Sequence, residues 1–283
     1  MHSNTHVFRK CALATIAVAA LAIGFASAPT QSQQPASTKA VRLTEGTNIA
    51  VTLSPDHQKI IMDLQGALWS LPIAGGTATR LTDAFLEPAR PDWSPRGDVI
   101  AFEAYAGGTF HIWTMKQDGS ELRQLTTGHG DDRDPRVSPD GATIAFSSDR
   151  AFKGSFDIWT LDVATGALTQ RTFDNNLEEF EPAWSPDGKN IAFVSGISSA
   201  GARIESIDMA GNRTTLVTAP AGARLNSPSW SPDGTKLTYI QFQNNKSQLM
   251  IAGSAIAPNV DVFPFPVSWL SATNALYAAD GKI

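Results

Sequence analysis

Hydrophobic and polar positions alternate over short stretches between residues 41 and 283, and these stretches recur in the same order. The phrase "AWSPDGKNIAFVSG" at 183–196 joins an aromatic residue, a Ser-Pro-Asp-Gly sequence and an apolar run. Near copies begin at Asp92, Arg136 and Ser229, with weaker copies from Thr52 and Ser268. Short alternating runs bounded by turn residues predict strands. After residue 40, no stretch longer than a turn or two has the hydrophobic period of a helix. We therefore predict an all-β chain built from internal repeats.

The spacing of the repeats predicts a β-propeller. The serine that begins each turn stands at 54, 94, 138, 185, 231 and 271, giving spacings of 40, 44, 47, 46 and 40 residues. A period in the forties with four short strands per repeat is typical of propeller blades. We predict five complete four-stranded blades and an unfinished sixth. Because closed propellers leave no open edge strands, the unfinished blade suggests that the chain is part of a longer protein.

The Pro-Asp-Gly sequence is predicted to join the first strand of each blade to the second. Proline sets φ at the first central position of a type I turn, aspartate suits the next, and glycine takes the left-handed conformation. Where glycine is missing, the repeats have His57 or Asn274, which tolerate positive φ. The predicted turn residues are Pro95, Gly97, Pro139, Asp140, Gly141, Pro186, Asp187, Gly188, Pro232, Asp233 and Gly234. The tryptophans just before the turns are expected to pack between neighbouring blades.

The N-terminus has the three parts of a secretory signal peptide at residues 1–26. Arg9 and Lys10 precede an apolar run at 11–25, and small residues follow it. The run is shorter than the roughly 20 residues that span a bilayer, so we predict export to the periplasm or cell exterior with no membrane span after cleavage. Residues 27–40 are rich in Ser, Gln and Pro and are predicted to be a disordered linker before the propeller at 41–283.

Charge and residue usage exclude several functions. The net charge is −5 and no basic cluster occurs beyond Arg9 and Lys10, which argues against nucleic-acid binding. The single cysteine, Cys11, lies in the signal peptide, so the mature chain is predicted to have no disulfide. The five histidines form no His-x-His pair. We predict no catalytic residue in this segment and do not expect it to be catalytic alone.

Carboxylates are concentrated in the loops that lead into the blades. Loops from the last strand of one blade to the first of the next emerge on the same face as the loops between second and third strands. Such an acidic face can hold Ca²⁺ or another hard cation, meet a basic partner, or line a substrate passage. It can equally consist of carboxylates that cap loop amides and pair with neighbouring arginines. The residues concerned are Glu87, Asp131, Asp132, Asp134, Glu178, Glu179 and Glu181.

The repeat resembles the TolB-type, WD-like propeller repeat of bacteria. The resemblance covers about residues 41–283 and rests on "WSPDG", "SSDR" at 147–150, "DIWTLD" at 157–162 and "RQLT" at 123–126. TolB itself is a periplasmic partner of a peptidoglycan-associated lipoprotein, but it carries an α/β domain before its propeller. Prolyl-oligopeptidase-type enzymes also contain propellers, but this sequence has no Gly-x-Ser-x-Gly motif. The stretches at 62–76, 81–95 and 261–283 look most like exported proteins in which an amidohydrolase domain follows the propeller.

Three hypotheses follow. The main one is the non-catalytic propeller portion of an exported, amidohydrolase-like hydrolase, serving substrate access or protein binding. Its partner would be a hydrolase domain beyond Ile283, and that domain would hold a Zn-type metal. The alternative is a stand-alone periplasmic TolB-like propeller that binds an envelope protein. A third is a propeller enzyme with a metal in its channel.

Overall fold

A computed structural model describes residues 49–173, 177–196 and 201–283. The predicted signal peptide at 1–26 and linker at 27–40 lie outside these residues. Leu43–Ile283 forms one compact unit. In the described residues the regular secondary structure of this unit is β-strand, except for a short 3-10 helix at Ala84–Leu86.

Five antiparallel four-stranded sheets form the blades, each with its strands in chain order. Blade 1 contains β1 (Val51–Leu53), β2 (Lys59–Leu64), β3 (Ala67–Pro72) and β4 (Thr79–Arg80). Blade 2 contains β5 (Ala89–Trp93), β6 (Ile100–Ala106), β7 (Thr109–Met115) and β8 (Arg123–Gln124). Blade 3 contains β9 (Asp132–Val137), β10 (Thr143–Phe152), β11 (Ser155–Asp162) and β12 (Leu168–Gln170). Blade 4 contains β13 (Glu179–Trp184), β14 (Asn190–Ser195), β15 (Arg203–Asp208) and β16 (Arg213–Thr218). Blade 5 contains β17 (Arg224–Trp230), β18 (Leu237–Gln243), β19 (Lys246–Ile251) and β20 (Ser254–Ala255).

A sixth unit (residues 262–282) fills the space between blade 5 and blade 1. It contains β21 (Ser268–Trp269) and β22 (Ala275–Leu276), with isolated bridges from Ala279 to Val262 and Lys282. Trp269 packs with the core of blade 5, and Ala278 packs against Ile49 and Met62 beside blade 1. The Ser268 hydroxyl donates to the Val51 carbonyl at 2.9 Å. The blades therefore form a closed ring, and the predicted all-β propeller with five complete blades is confirmed.

The hydrophobic core lies mainly between neighbouring blades. The sequence analysis expected the tryptophans to pack there. Trp93 packs against Ile61 and Leu68 of blade 1 as well as Phe102 of its own blade. Trp184 packs in the same way against Ala145 of blade 3. Each aromatic ring thus covers apolar surface on two blades and holds them together.

The structure places the Ser-Pro-Asp-Gly sequences in tight turns between first and second strands. The backbone N–H of Gly97, Gly141, Gly188 and Gly234 donates to the carbonyl of the turn serine at 2.8 Å, and these glycines have φ of 69–76°. His57 takes the same position in blade 1 with φ 56°. Asn274 of the sixth unit does not adopt positive φ, because the turn there is shorter and closes from Ser271 N–H to the Asn274 carbonyl. We call the side of the ring that carries these turns the turn face.

Candidate functional site

The opposite side of the ring, which we call the loop face, carries two kinds of loop. They are the connections from fourth strands to the next first strands and the hairpins between second and third strands. Asp131, in the loop before blade 3, accepts the Phe110 backbone N–H of the blade 2 hairpin at 2.8 Å. The Asp131 N–H in turn donates to Asp149, at the blade 3 hairpin, at 2.7 Å. These contacts place both kinds of loop on one face, as the sequence analysis expected.

Near the loop face, the innermost strands of blades 2 to 5 are each interrupted by a β-bulge. The bulged residues are Arg90, Asp134, Glu181 and Ser227, with φ of 52–56°, and the strand register shifts at each of them. Each of them stands directly before a proline. A bulge redirects a side chain relative to the strand, and here it brings Arg90, Asp134 and Glu181 together at the central channel.

The backbone N–H of each bulged residue is bonded to a side chain that lies outside its own blade. Arg90 N–H donates to Asp63 of blade 1 at 3.0 Å, and Asp134 N–H donates to Glu103 of blade 2 at 2.8 Å. Glu181 N–H donates to the Ser147 hydroxyl of blade 3 at 3.0 Å. Ser227 N–H donates to the Glu181 carboxylate of blade 4 at 2.6 Å. These bonds satisfy buried backbone groups and also join successive blades.

The Arg90 guanidinium is the centre of this network. Its Nη1 lies 2.6 Å from Asp134 Oδ1 and 3.1 Å from Glu181 Oε1, and its Nε lies 3.9 Å from Glu103. The guanidinium also lies 5.4 Å from the centre of the Phe265 ring. A side chain of blade 2 therefore contacts blades 3 and 4 and the sixth unit across the channel.

Burial dominates the electrostatics of the network. It raises the pKa of Glu103 and of Glu181, although Arg90 favours their charged forms. Burial also raises the pKa of Asp63 to about 6. For Arg90 burial opposes the charge, but the carboxylates of Asp134, Glu103 and Glu181 outweigh it and raise the pKa of the guanidinium. The arginine therefore stays charged and compensates carboxylates that are costly to bury.

The other predicted acidic residues lie apart from this network. Asp132 is buried and binds Arg150 and the Ser148 hydroxyl, both at 2.6 Å, with His111 Nδ1 at 3.4 Å. Glu179 is buried against Arg213, and burial raises the pKa of Glu179.

Within the part of the chain that the structure describes, Glu87 and Glu178 make no comparable side-chain cluster. Glu87 is exposed at the end of the 3-10 helix, and the Glu178 backbone carbonyl accepts the Gly196 N–H at 2.9 Å. Of the seven predicted carboxylates, only Asp134 and Glu181 meet at the channel, and a guanidinium lies between them.

The described ranges contain no group of three or more His, Cys, Asp or Glu side chains that could hold a metal ion. The expected cation on this face stays a prediction. No helix among the described residues is long and apolar enough to cross a membrane.

Sequence reasoning missed the arginine at the centre of the site. Arg90, Glu103 and Asp63 were not among the predicted residues. The available signal was the proline three residues before the turn serine, as in "RPDWS", "DPRVS", "EPAWS" and "SPSWS". The residue before each proline occupies the channel position, but the sequence does not show that residues from several blades meet there.

Two cavities open from the channel, one at each face. The cavity at the turn face measures about 470 Å³ and is lined by turn prolines and by Trp93, Trp184, Trp230 and Trp269. The cavity at the loop face, which we call the loop pocket, measures about 360 Å³ and includes Arg90, Arg133, Asp134, Phe156, Phe180 and Glu181 in its lining. Arg90 lines both cavities, so its side chain lies between them.

The fold and its repeats match a known family. Residues 87–250 match the family described as "TolB beta propeller domain". The chain belongs to this family. A curated relative, the Tol-Pal system protein TolB of Francisella tularensis, is 31% identical over 175 residues, covering 46% of this chain and 40% of the relative. An uncharacterized protein of Agrobacterium fabrum is 34% identical over 131 residues, covering 46% of this chain and 43% of that protein. The matches thus span less than half the length of these curated relatives.

Solved TolB structures share the fold. The crystal structure of TolB from Acinetobacter baumannii superposes with a TM-score of 0.61 at 26% identity, covering 72% of this chain and 51% of that one. A TolB-type protein of Agrobacterium tumefaciens gives a TM-score of 0.64 at 21% identity, with 82% of each chain covered. These likenesses support the TolB-type propeller, whereas the predicted likeness to amidohydrolase propellers is not confirmed.

Proposed function

We propose that this chain is an exported, TolB-like propeller that binds a protein partner through its loop face. The observation that carries the proposal is a set of exposed aromatic side chains on the loops and adjoining strand ends of this face. Phe85 is 94% exposed and Phe173 is 71% exposed. The full set is Phe85, Tyr105, Phe152, Phe173 and Phe242.

These aromatic residues favour a macromolecular ligand. Phe85 and Phe173 lie in loops, and the other three lie at strand ends beside the hairpins of blades 2, 3 and 5. The surface they offer is therefore broad. Several exposed aromatic residues on one face are a feature of protein-binding surfaces, because aromatic residues are enriched at the centres of protein interfaces. The family relationship with TolB and the predicted signal peptide support a partner in the bacterial envelope.

Site-specific cross-linking tests this proposal. A photoreactive phenylalanine analogue would replace Phe85 or Phe173 in the full chain, expressed in its source cells. As a control, the analogue would replace Met209, which is 42% exposed in the turn between β15 and β16 at the turn face. We expect a discrete cross-linked protein from the loop-face positions and none from Met209. Absence of a product at the loop face, or the same products from all three positions, would contradict the proposal.

The propeller portion of an exported hydrolase is the second candidate. It is favoured by the amidohydrolase-like phrases at 62–76, 81–95 and 261–283. The fold is also shared with a puromycin hydrolase, at 18% identity and a TM-score of 0.55, which is evidence for the fold alone. The intact mass of the native protein separates the two candidates. A mass at or below the 30.2 kDa of this chain supports the stand-alone propeller, and a mass several times larger supports the hydrolase.

A further inference from the structure

We propose that the loop pocket binds an acidic segment of the partner protein, in which a carboxylate side chain stands next to an apolar or aromatic residue. Arg90 and Arg133 would bind the carboxylate, and Phe156 and Phe180 would contact its apolar neighbour. This inference rests on the proposed function and specifies the chemistry of the partner.

Each carboxylate oxygen of the network already accepts a hydrogen bond from a described residue. Asp134 accepts from Arg90 through Oδ1 and from the Ser147 hydroxyl through Oδ2. Glu181 accepts from Arg90 through Oε1 and from the Ser227 N–H through Oε2. Glu103, below them, accepts from Arg133 through Oε1 and from the Asp134 N–H through Oε2. A basic ligand would therefore compete with hydrogen bonds that already join the blades.

The two arginines of the pocket, by contrast, have N–H donors without an acceptor among the described residues. Arg90 uses Nη1 for its short contacts, and no group in the described ranges accepts from its Nη2. Arg133 donates from Nε to Glu103 at 3.0 Å, and neither of its Nη atoms has an acceptor among the described residues. A guanidinium carries five N–H donors in a planar fork that matches a carboxylate. The pocket therefore has an excess of donors, and its ligand should supply acceptors.

Arg133 is held in position for such a contact. Its guanidinium lies 3.9 Å from the centre of the Phe110 ring, and its side chain is 34% exposed. Stacking on an aromatic face and the bond to Glu103 restrict the side chain while its free N–H groups remain accessible. A restricted donor loses less conformational entropy on binding than a flexible one.

Apart from Asn226, the remaining lining is apolar, and it would contact the apolar residue of the proposed segment. Phe156 and Phe180 lie with ring centres 5.1 Å apart, and Val194 and Leu225 complete this side of the pocket. A cavity of about 360 Å³ is at the small end of ligand sites. It suits one or two side chains of a docked protein segment, with the exposed aromatic residues of the loop face contacting the surrounding surface.

A peptide array provides the first test. Immobilised peptides Gly-Ser-X-Z-Ser-Gly, with X and Z running through all residues, would be probed with the full chain. We expect signal where X is Asp or Glu and Z is aromatic or a large aliphatic residue. Signal concentrated on Lys or Arg peptides, or spread evenly over the array, would overturn the inference.

Variants of Arg133 provide the second test, using the strongest peptide of the array. Arg133→Gln should weaken binding at least tenfold, because it removes the free guanidinium donors. Arg133→Lys keeps a positive charge beside buried Glu103, so it protects the fold, and its affinity should be intermediate. Arg203→Gln is the matched control, since Arg203 begins β15 at the loop face and its only ion pair, among the described residues, is with Glu205 at 3.8 Å. Unchanged binding by both Arg133 variants would contradict the inference.

The two experiments separate this inference from the proposed function. Cross-linking from Phe85 and Phe173 without any acidic preference on the array would leave the protein-binding face standing and refute the pocket chemistry. Acidic preference on the array without a cross-linked protein would refute the proposed function instead.

Discussion

At the scale of single residues, the site is organised by one arginine in an unusual backbone position. Arg90 has positive φ and stands before Pro91, a conformation that is unfavourable for most residues. The bulge is maintained because the Arg90 N–H bonds to Asp63 and the side chain bonds to Asp134 and Glu181. A buried ion pair adds little net stability, but removal of one partner leaves an uncompensated charge. Removal of Arg90 alone should therefore cost more stability than the intact ion pairs contribute.

Replacement of Arg90 tests this interpretation. Arg90→Met should lower the free energy of unfolding by about 3–5 kcal/mol at neutral pH, because Asp134 and Glu181 lose their counter-ion. Burial already raises the pKa of Glu181, so its buried charge costs stability above its pKa and not below it. The deficit of Arg90→Met should therefore shrink as the pH falls and Glu181 becomes protonated. Urea unfolding at several pH values measures both effects.

The triple variant Arg90→Met/Asp134→Asn/Glu181→Gln is the control for this experiment. It removes the arginine and both facing charges together, so it should recover much of the lost stability. A single variant as stable as the native protein, or a deficit independent of pH, would show that the network is not held by charge compensation.

The sequence could predict the carboxylates of this site but not their roles. Asp134 and Glu181 were found because equivalent loops repeat along the chain at a fixed distance from each turn serine. Their partner Arg90 lies 44 and 91 positions away, and its contact with them depends on how the ring closes. Repetition reveals equivalent positions, but only the three-dimensional structure shows that residues at the same position of different blades meet across the channel.

At the scale of elements, the turns were predictable because their interactions are local. In blade 4 the Ser185 hydroxyl donates to Asp187 at 2.6 Å, and the Gly188 N–H donates to the Ser185 carbonyl at 2.8 Å. All of the turn's hydrogen-bond partners, including Asn190 with Ser185, lie within five residues, so the local sequence is sufficient to predict the turn. The turns also contact each other, since a β-carbon on Gly188 would stand 3.8 Å from Pro139 of the preceding turn. The ring of turns is thus continuous along the turn face.

Substitutions in two equivalent turns should have opposite effects. Gly188→Ala places a β-carbon at φ 69° and should cost about 1–2 kcal/mol of stability. His57→Gly removes a β-carbon from φ 56° in an exposed turn. The stability gained by His57→Gly should be smaller than the stability lost by Gly188→Ala. Glycine loses more backbone entropy on folding, which offsets the gain by roughly 0.5–1 kcal/mol. Chemical denaturation of both variants measures the difference, and equal losses in both would contradict the proposed role of left-handed backbone.

At the scale of the whole molecule, the sixth unit determines whether the ring is closed. The sequence predicted an unfinished blade with open edges, and the described part of this unit has two strands of two residues each. Its apolar residues nevertheless fill the seam between blades 5 and 1. Val262 and Val267 pack with Ile240 and Leu249 of blade 5, while Ala278 packs with Ile49 and Met62. Hydrophobic contacts therefore close the ring where strand pairing is sparse, which counting strands from sequence does not reveal.

A charge placed at this seam should open the ring locally. Ala278 is buried, so Ala278→Asp would put a carboxylate among Ile49, Met62 and Phe263 without a counter-ion. We expect amide hydrogen exchange to accelerate at least tenfold in β1, β2, β18 and β19, while β10 and β11 of blade 3 keep their protection. Ala221→Asp, which makes the same change at an exposed loop position, should leave all of these strands protected. Equal acceleration in every blade would instead mean that the ring unfolds as one cooperative unit, and unchanged exchange would mean that the sixth unit does not hold the ring closed.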